Sequence, residues 1–202
     1  MAISRLSQTT LQNGFQKFNT VWDGTSAVGS MDALGVIVLN ATTASVTFSN
    51  IPQTYSHLQI RMTARSDRAN TGANTVFAYA NGDEAPSNPT NYYTHYLSGD
   101  GASVTAGALS SANPGYGFYF GYAIGANATN NISPNVIDIL DYANTNKYKT
   151  MRSLVGTDNN GSGAIALAST VWSNTAAITS LKLVCLSYNF TQYSSFALYG
   201  IK

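Results

Sequence analysis

Charge is what this 202-residue chain has least of: ten Lys and Arg face nine Asp and Glu, 9% of the sequence, where a soluble domain carries about 25%. With a formal net charge of +1 there is no field to steer the chain onto phosphate or anionic lipid, so neither nucleic-acid binding nor membrane insertion is expected. Cys185 is the only cysteine, which excludes an internal disulfide and any cysteine-based metal site. Its place in the apolar run Leu181 to Leu186 reads as a small buried hydrophobe. No run approaches the 20 or so apolar residues of a membrane span, and Met1 to Gln8 lacks the apolar core of a secretory signal. The expectation is a protein made in a cytoplasm and carried to an exposed position by assembly.

The chemistry-bearing residues are scarce too. His57 and His95 are the only imidazoles, and they have neither metal-ligand spacing nor a Gly-X-Ser-X-Gly nucleophile turn to serve. Asp138 and Asp141 lie three apart, so one extended strand puts them on opposite faces, a poor acid/base pair. Asp158 to Gly163 offers oxygen atoms at alternate positions but lacks the closing glutamate of a calcium loop, and a Gly/Asn turn explains it. Gly115 to Gly121 departs from the dinucleotide-binding spacing. No catalytic residue, cofactor or metal is expected.

What is plentiful is neutral polarity: 64 residues are Ser, Thr or Asn, and thirteen are Tyr. Residues 1–32 show no sustained period and read as an extended arm, with Phe15, Phe18 and Trp22 as anchors too apolar to leave in water. From Ala33 onward, short alternating segments are separated by turn chemistry such as Asn81-Gly82-Asp83 and Asn159-Asn160-Gly161. The pattern predicts eleven strands: 34–39, 45–48, 57–64, 75–80, 92–97, 117–124, 136–142, 147–155, 164–172, 178–187 and 195–201. In His57–Ala64, Leu58, Ile60, Met62 and Ala64 share one face. In the final strand both faces are apolar, which predicts an interior position. No helical window competes. The expected fold is all-β: an antiparallel two-sheet sandwich of jelly-roll type over 33–202, with contact loops at Gly82–Asn91 and Ser98–Gly115.

Two clusters stand out as contact candidates. Arg61, Arg65 and Arg68 could grip carboxylates of a neighbouring subunit. Tyr93 and Tyr96, in the Tyr92–Tyr96 run, could contact a bacterial surface glycan.

Three blocks, Ser45 to Arg61 (SVTFSNIPQTYSHLQIR), Asp141 to Thr150 (DYANTNKYKT) and Ser195 to Lys202 (SFALYGIK), together with Trp22-Asp23-Gly24 at the end of the arm, resemble a family of small tailed-bacteriophage virion proteins. The resemblance implies a virion component whose partners are other capsid or tail subunits, and it supplies no catalytic residues. The expected role is a capsid decoration or cement protein, a homotrimer exposed on the assembled particle. The alternative is a tail or vertex appendage touching host glycan.

Overall fold

The computed structural model describes residues 30–84, 91–109, 117–128, 130–159 and 161–202. Among them there are twelve strands and no helix: β1 Met31–Val38, β2 Ser45–Phe48, β3 His57–Ala64, β4 Ala73–Ala80, β5 Tyr92–Gly99, β6 Val104–Leu109, β7 Phe118–Ile124, β8 Ser133–Leu140, β9 Lys149–Asp158, β10 Gly163–Trp172, β11 Leu181–Cys185 and β12 Ser195–Ile201. They form an eight-stranded sheet, β1-β12-β3-β8-β9-β10-β5-β6, and a four-stranded sheet, β2-β11-β4-β7, with every ladder antiparallel. The chain is thus the expected all-β sandwich. Residues 1–29 of the expected arm, with Phe15, Phe18 and Trp22, lie outside the described residues, and the first described strand begins at Met31.

Alternation sets the core. Leu58, Ile60, Met62 and Ala64 are buried on one side of β3 while Arg61 is exposed on the other. On β12, Phe196 and Leu198 point inward, and the strand sits between β1 and β3 as its two-sided apolarity requires. Gly200 continues that inward face because the Tyr55 ring lies over it; a Cβ there would come within 2.5 Å of the ring. Phe118, Phe120, Ile137, Met151, Trp172 and Leu183 join the same cluster. Each such side chain is worth about 1.5–3 kcal/mol of burial. Trp172 is pinned as well as buried, its indole N–H donating to Asp83 Oδ2 at 2.6 Å. Asp83 is held there by the turn at Asn81 and Gly82, whose φ angles of 52° and 73° suit Asn and Gly. The Asp83 N–H donates to the Ala80 carbonyl at 2.9 Å.

One buried polar group of residues closes a sheet edge. β7 pairs with β4 on one side only. Phe120 is an extra residue in that ladder, which pairs Val76 with Gly121 and Phe77 with Tyr119. This changes the parity of the strand, so that Tyr119 and Tyr122 both turn their backbone groups away from β4. The eight-stranded sheet meets them with side chains. Thr170 Oγ1 accepts from Tyr119 N at 3.3 Å, Ser153 Oγ donates to Tyr119 O at 3.1 Å, and the Asn135 amide accepts from Tyr122 N at 2.8 Å and donates to Tyr122 O at 3.1 Å. A strand edge that would otherwise be dehydrated and unpaired is therefore satisfied.

β6 is the strand that the sequence pattern does not predict. Val-Thr-Ala-Gly-Ala-Leu is poor in the residues that favour strands, and it falls within the loop expected over 98–115. Its pairing with all of Thr94–Gly99 supplies what propensity does not. Gly107 fits because the Tyr96 side chain crosses it; a Cβ at that position would lie 2.6 Å from the phenolic oxygen.

Candidate functional site

Register across the large sheet assembles a surface that no single segment encodes. β8, β9, β10, β5 and β6 align Val136 with Leu154, Leu154 with Leu167, Leu167 with Leu97, and Leu97 with Ala106. All five point to the outer face. Val136, Leu154, Leu167 and Leu97 are 41%, 53%, 53% and 50% exposed. With strands about 4.8 Å apart the row runs about 19 Å. A neighbouring line adds Ile165 and Val104, at 59% and 76% exposed. Scattered exposed hydrophobes need no explanation, whereas a row in register across five strands is a candidate contact surface.

Polar groups flank one side of the row. Arg152 is paired with Ser169, and Ser169 with His95. These three, with Leu97 and Leu167, line a shallow groove of about 320 Å³. Asp138 stands opposite Arg152 in the β8–β9 ladder and accepts from Gln59 Nε2 at 2.9 Å.

The arginines do not converge. Arg61 projects from the outer face of β3, donates from Nε to Gln59 Oε1 at 3.1 Å and lies 5.5 Å from the centre of the Tyr199 ring. Arg65 donates to the carbonyls of Asn131 and Ala126 at 3.2 and 2.9 Å. Arg68 donates to Asn74 Oδ1 at 2.8 Å and packs over Tyr188. Arg65 and Arg68 thus tie loops of their own chain together.

Tyr93 and Tyr96 do not share a face either. Tyr93 is 42% exposed on the outer side. Tyr96 turns inward, where its ring stacks on Tyr119 at 5.8 Å with the planes 7° apart.

The residues weighed for chemistry are also apart. His57 Nδ1 accepts from the backbone N–H of Asp141 at 3.0 Å, and Asp141 pairs with Lys147 at 2.5 Å. That lysine's hydrogen bond, ahead of other charges, holds the Asp141 carboxyl below its ordinary range. His95 sits on β5, across the sheet from this pair. Asp158 and Gly163 close the β9–β10 hairpin, with Asn159 N donating to Ser162 O at 2.7 Å. Among the described residues no three His, Cys, Asp or Glu side chains come together as a metal site. Cys185 is buried, and burial pushes its thiol up to about 11.

Sequence reading misses the outer row because the row depends on register between strands distant in sequence. A signal does exist: Leu154, Ile165 and Leu167 each alternate onto the face opposite an already buried set. No protein-family model matches the chain, and no curated protein or solved structure does either.

Proposed function

We propose that the chain is a structural component of a bacteriophage particle, a capsid decoration or cement protein that works by burying surface against neighbouring subunits. The observation that carries this reading is the in-register apolar row Val136-Leu154-Leu167-Leu97-Ala106 on the outer face of the large sheet. A row of neutral side chains suits contact with another protein and depends little on ionic strength.

The strand order supports the same reading. The pairs β1–β12, β2–β11, β3–β8 and β4–β7 are nested, and they alternate between the two sheets. We read that as a jelly roll with two inserted hairpins, β5–β6 and β9–β10, both extending the large sheet. Capsid proteins use this architecture, though an architecture alone assigns no role. In this reading residues 1–32 tether the sandwich through Phe15, Phe18 and Trp22.

Replacing Leu154 and Leu167 together by Lys tests the row. Two lost side-chain contacts at about 1.5–3 kcal/mol each should weaken attachment by more than about 100-fold. Copies of the chain per purified particle should fall accordingly, with the circular dichroism of the free protein unchanged. Full incorporation of the double variant overturns the reading.

Exposed Tyr93, on the same face as His95 and Arg152, favours the second reading, an appendage that touches host glycan. That reading expects glycan-array binding that Tyr93→Ala abolishes and Tyr96→Ala affects only through stability. Absence of any array signal from the intact chain removes it.

A further inference from the structure

Among the described residues the two sheets present four edges, and three of them are guarded against a further strand. β7 is capped by Asn135, Ser153 and Thr170. β2 is only four residues long. β1 has an irregular register between Ala33 and Gly35 and carries Asp32, which is ion-paired with Lys202 at 3.1 Å. These are devices that proteins use to blunt a sheet edge.

β6 has none of them. Val104–Leu109 contains no charge and no proline, and its ladder with β5 runs without a bulge. Among the described residues nothing pairs with its far side. The hairpin fixes which groups face outward. Asp100 N donates to Ser103 O at 3.2 Å, so by antiparallel alternation Thr105, Gly107 and Leu109 bond toward β5. Val104, Ala106 and Ala108 turn their N–H and C=O groups to the open side.

We propose that β6 pairs with β6 of a second copy of this chain, antiparallel, about a two-fold axis at Ala106. The outward set 104, 106, 108 is symmetric about that residue. Val104 then lies opposite the partner's Ala108, and Ala106 opposite the partner's Ala106, each residue exchanging both backbone bonds. A two-fold axis sets any charge on the strand against its own copy or a close sequence neighbour, and β6 has no charge to oppose. The side chains that meet are Ala and Val, small enough for strands to close at normal spacing. The apolar row of the outer face ends at Ala106, so the pairing joins it to the same row of the second copy. Two eight-stranded sheets become one. The pairing stands apart from the virion reading, and either can fail without the other.

A six-residue edge buries less than the roughly 1,600 Å² of a standard interface, so the dimer should be concentration-dependent. Light scattering or sedimentation of the full chain, over a concentration series, should approach twice the chain mass of 21.4 kDa. Ala106→Lys sets two ammonium groups face to face and should return the protein to monomer with its β circular dichroism retained. Ala106→Cys places two sulfurs across a hydrogen-bonded pair, where Cα atoms are about 5.5 Å apart, within disulfide range. Mild oxidation should then cross-link this variant, buried Cys185 taking no part, and Thr47→Cys on exposed β2 should stay uncross-linked. A monomer at every concentration, a trimer, a dimer that Ala106→Lys leaves intact, or equal cross-linking through Thr47→Cys overturns the proposal.

Discussion

Stability should fall steeply once the pH passes about 10, the ordinary ionisation range of tyrosine. Tyr92 and Tyr119 are buried at 3% and 7% exposure. Tyr92 lies against Phe118 and Trp172, and its phenolic oxygen accepts from Ala80 N at 3.0 Å. Tyr119 is enclosed by Phe77, Tyr96 and Tyr122. Burial pushes both phenols well above their usual range, pushes Tyr79 up to about 12 and raises Tyr142. These groups therefore stay protonated in the fold while the unfolded chain ionises. Between the unfolded and the folded pKa the unfolded chain binds fewer protons, so their contribution is whole below about pH 10 and is lost above it. Each such group withdraws about 1.4 kcal/mol per pH unit, so Tyr92 and Tyr119 together remove about 2.7 kcal/mol per unit, against a typical total of about 5–15 kcal/mol. Cys185 adds to the loss between about 9 and 11. Lys149 acts the other way: burial lowers its ammonium, so stability is regained as the pH rises toward 10.5. It is one group against several. Denaturant midpoints measured from pH 8 to 12 should show the fall, and Tyr92→Phe and Tyr119→Phe should each flatten it. A profile level through pH 12 would refute the linkage.

Much of this architecture is legible in the amino-acid sequence itself. β2, β3 and β12 begin and end where alternation and turn residues place them, because each carries an unmistakable period of two with a punctuating Asn, Pro or Gly. β6 is not legible in that way, since its Ala and Gly residues follow the pairing made by β5 instead of a preference of their own. The parity rule that separates Asp138 from Asp141 also separates Tyr93 from Tyr96, and applied there it removes the paired glycan platform from sequence alone. The arginines need more than parity, because Arg65 and Arg68 lie beyond the end of β3, where Arg65 reaches the Ala126 and Asn131 carbonyls of a distant loop and Arg68 folds back onto Ala73 and Asn74 at the start of β4. Least legible are the outer apolar row and the buried polar cap of β7. Both depend on which strands become neighbours and at what offset, information carried by the whole set of ladders.

That cap makes Asn135 the polar side chain whose loss should cost most. It is 3% exposed: its amide oxygen accepts from Tyr122 N, and its two N–H hydrogens are divided among Ser133 O at 2.7 Å, Tyr122 O at 3.1 Å and Met62 O at 3.3 Å. Leu has nearly the same shape but can make none of these bonds. Asn135→Leu would leave the N–H and C=O of Tyr122 dehydrated and unpaired, at about 1–3 kcal/mol each. The leucine recovers part of this by burying apolar surface, so the expected net loss is about 1–4 kcal/mol. Ser153→Ala, which frees only the Tyr119 carbonyl, should cost about 1–2 kcal/mol. Gly121 belongs to the same device, for a Cβ there would come within 2.5 Å of Asn135 Oδ1. Gly121→Ala must push the amide off the edge it caps. The two substitutions therefore remove one set of bonds, and Asn135→Leu combined with Gly121→Ala should cost clearly less than the sum of the two alone. Urea unfolding of the four proteins, with slopes held equal, measures this directly. Strict additivity, or a loss below about 1 kcal/mol for Asn135→Leu, would mean that β7 finds its hydrogen bonds elsewhere.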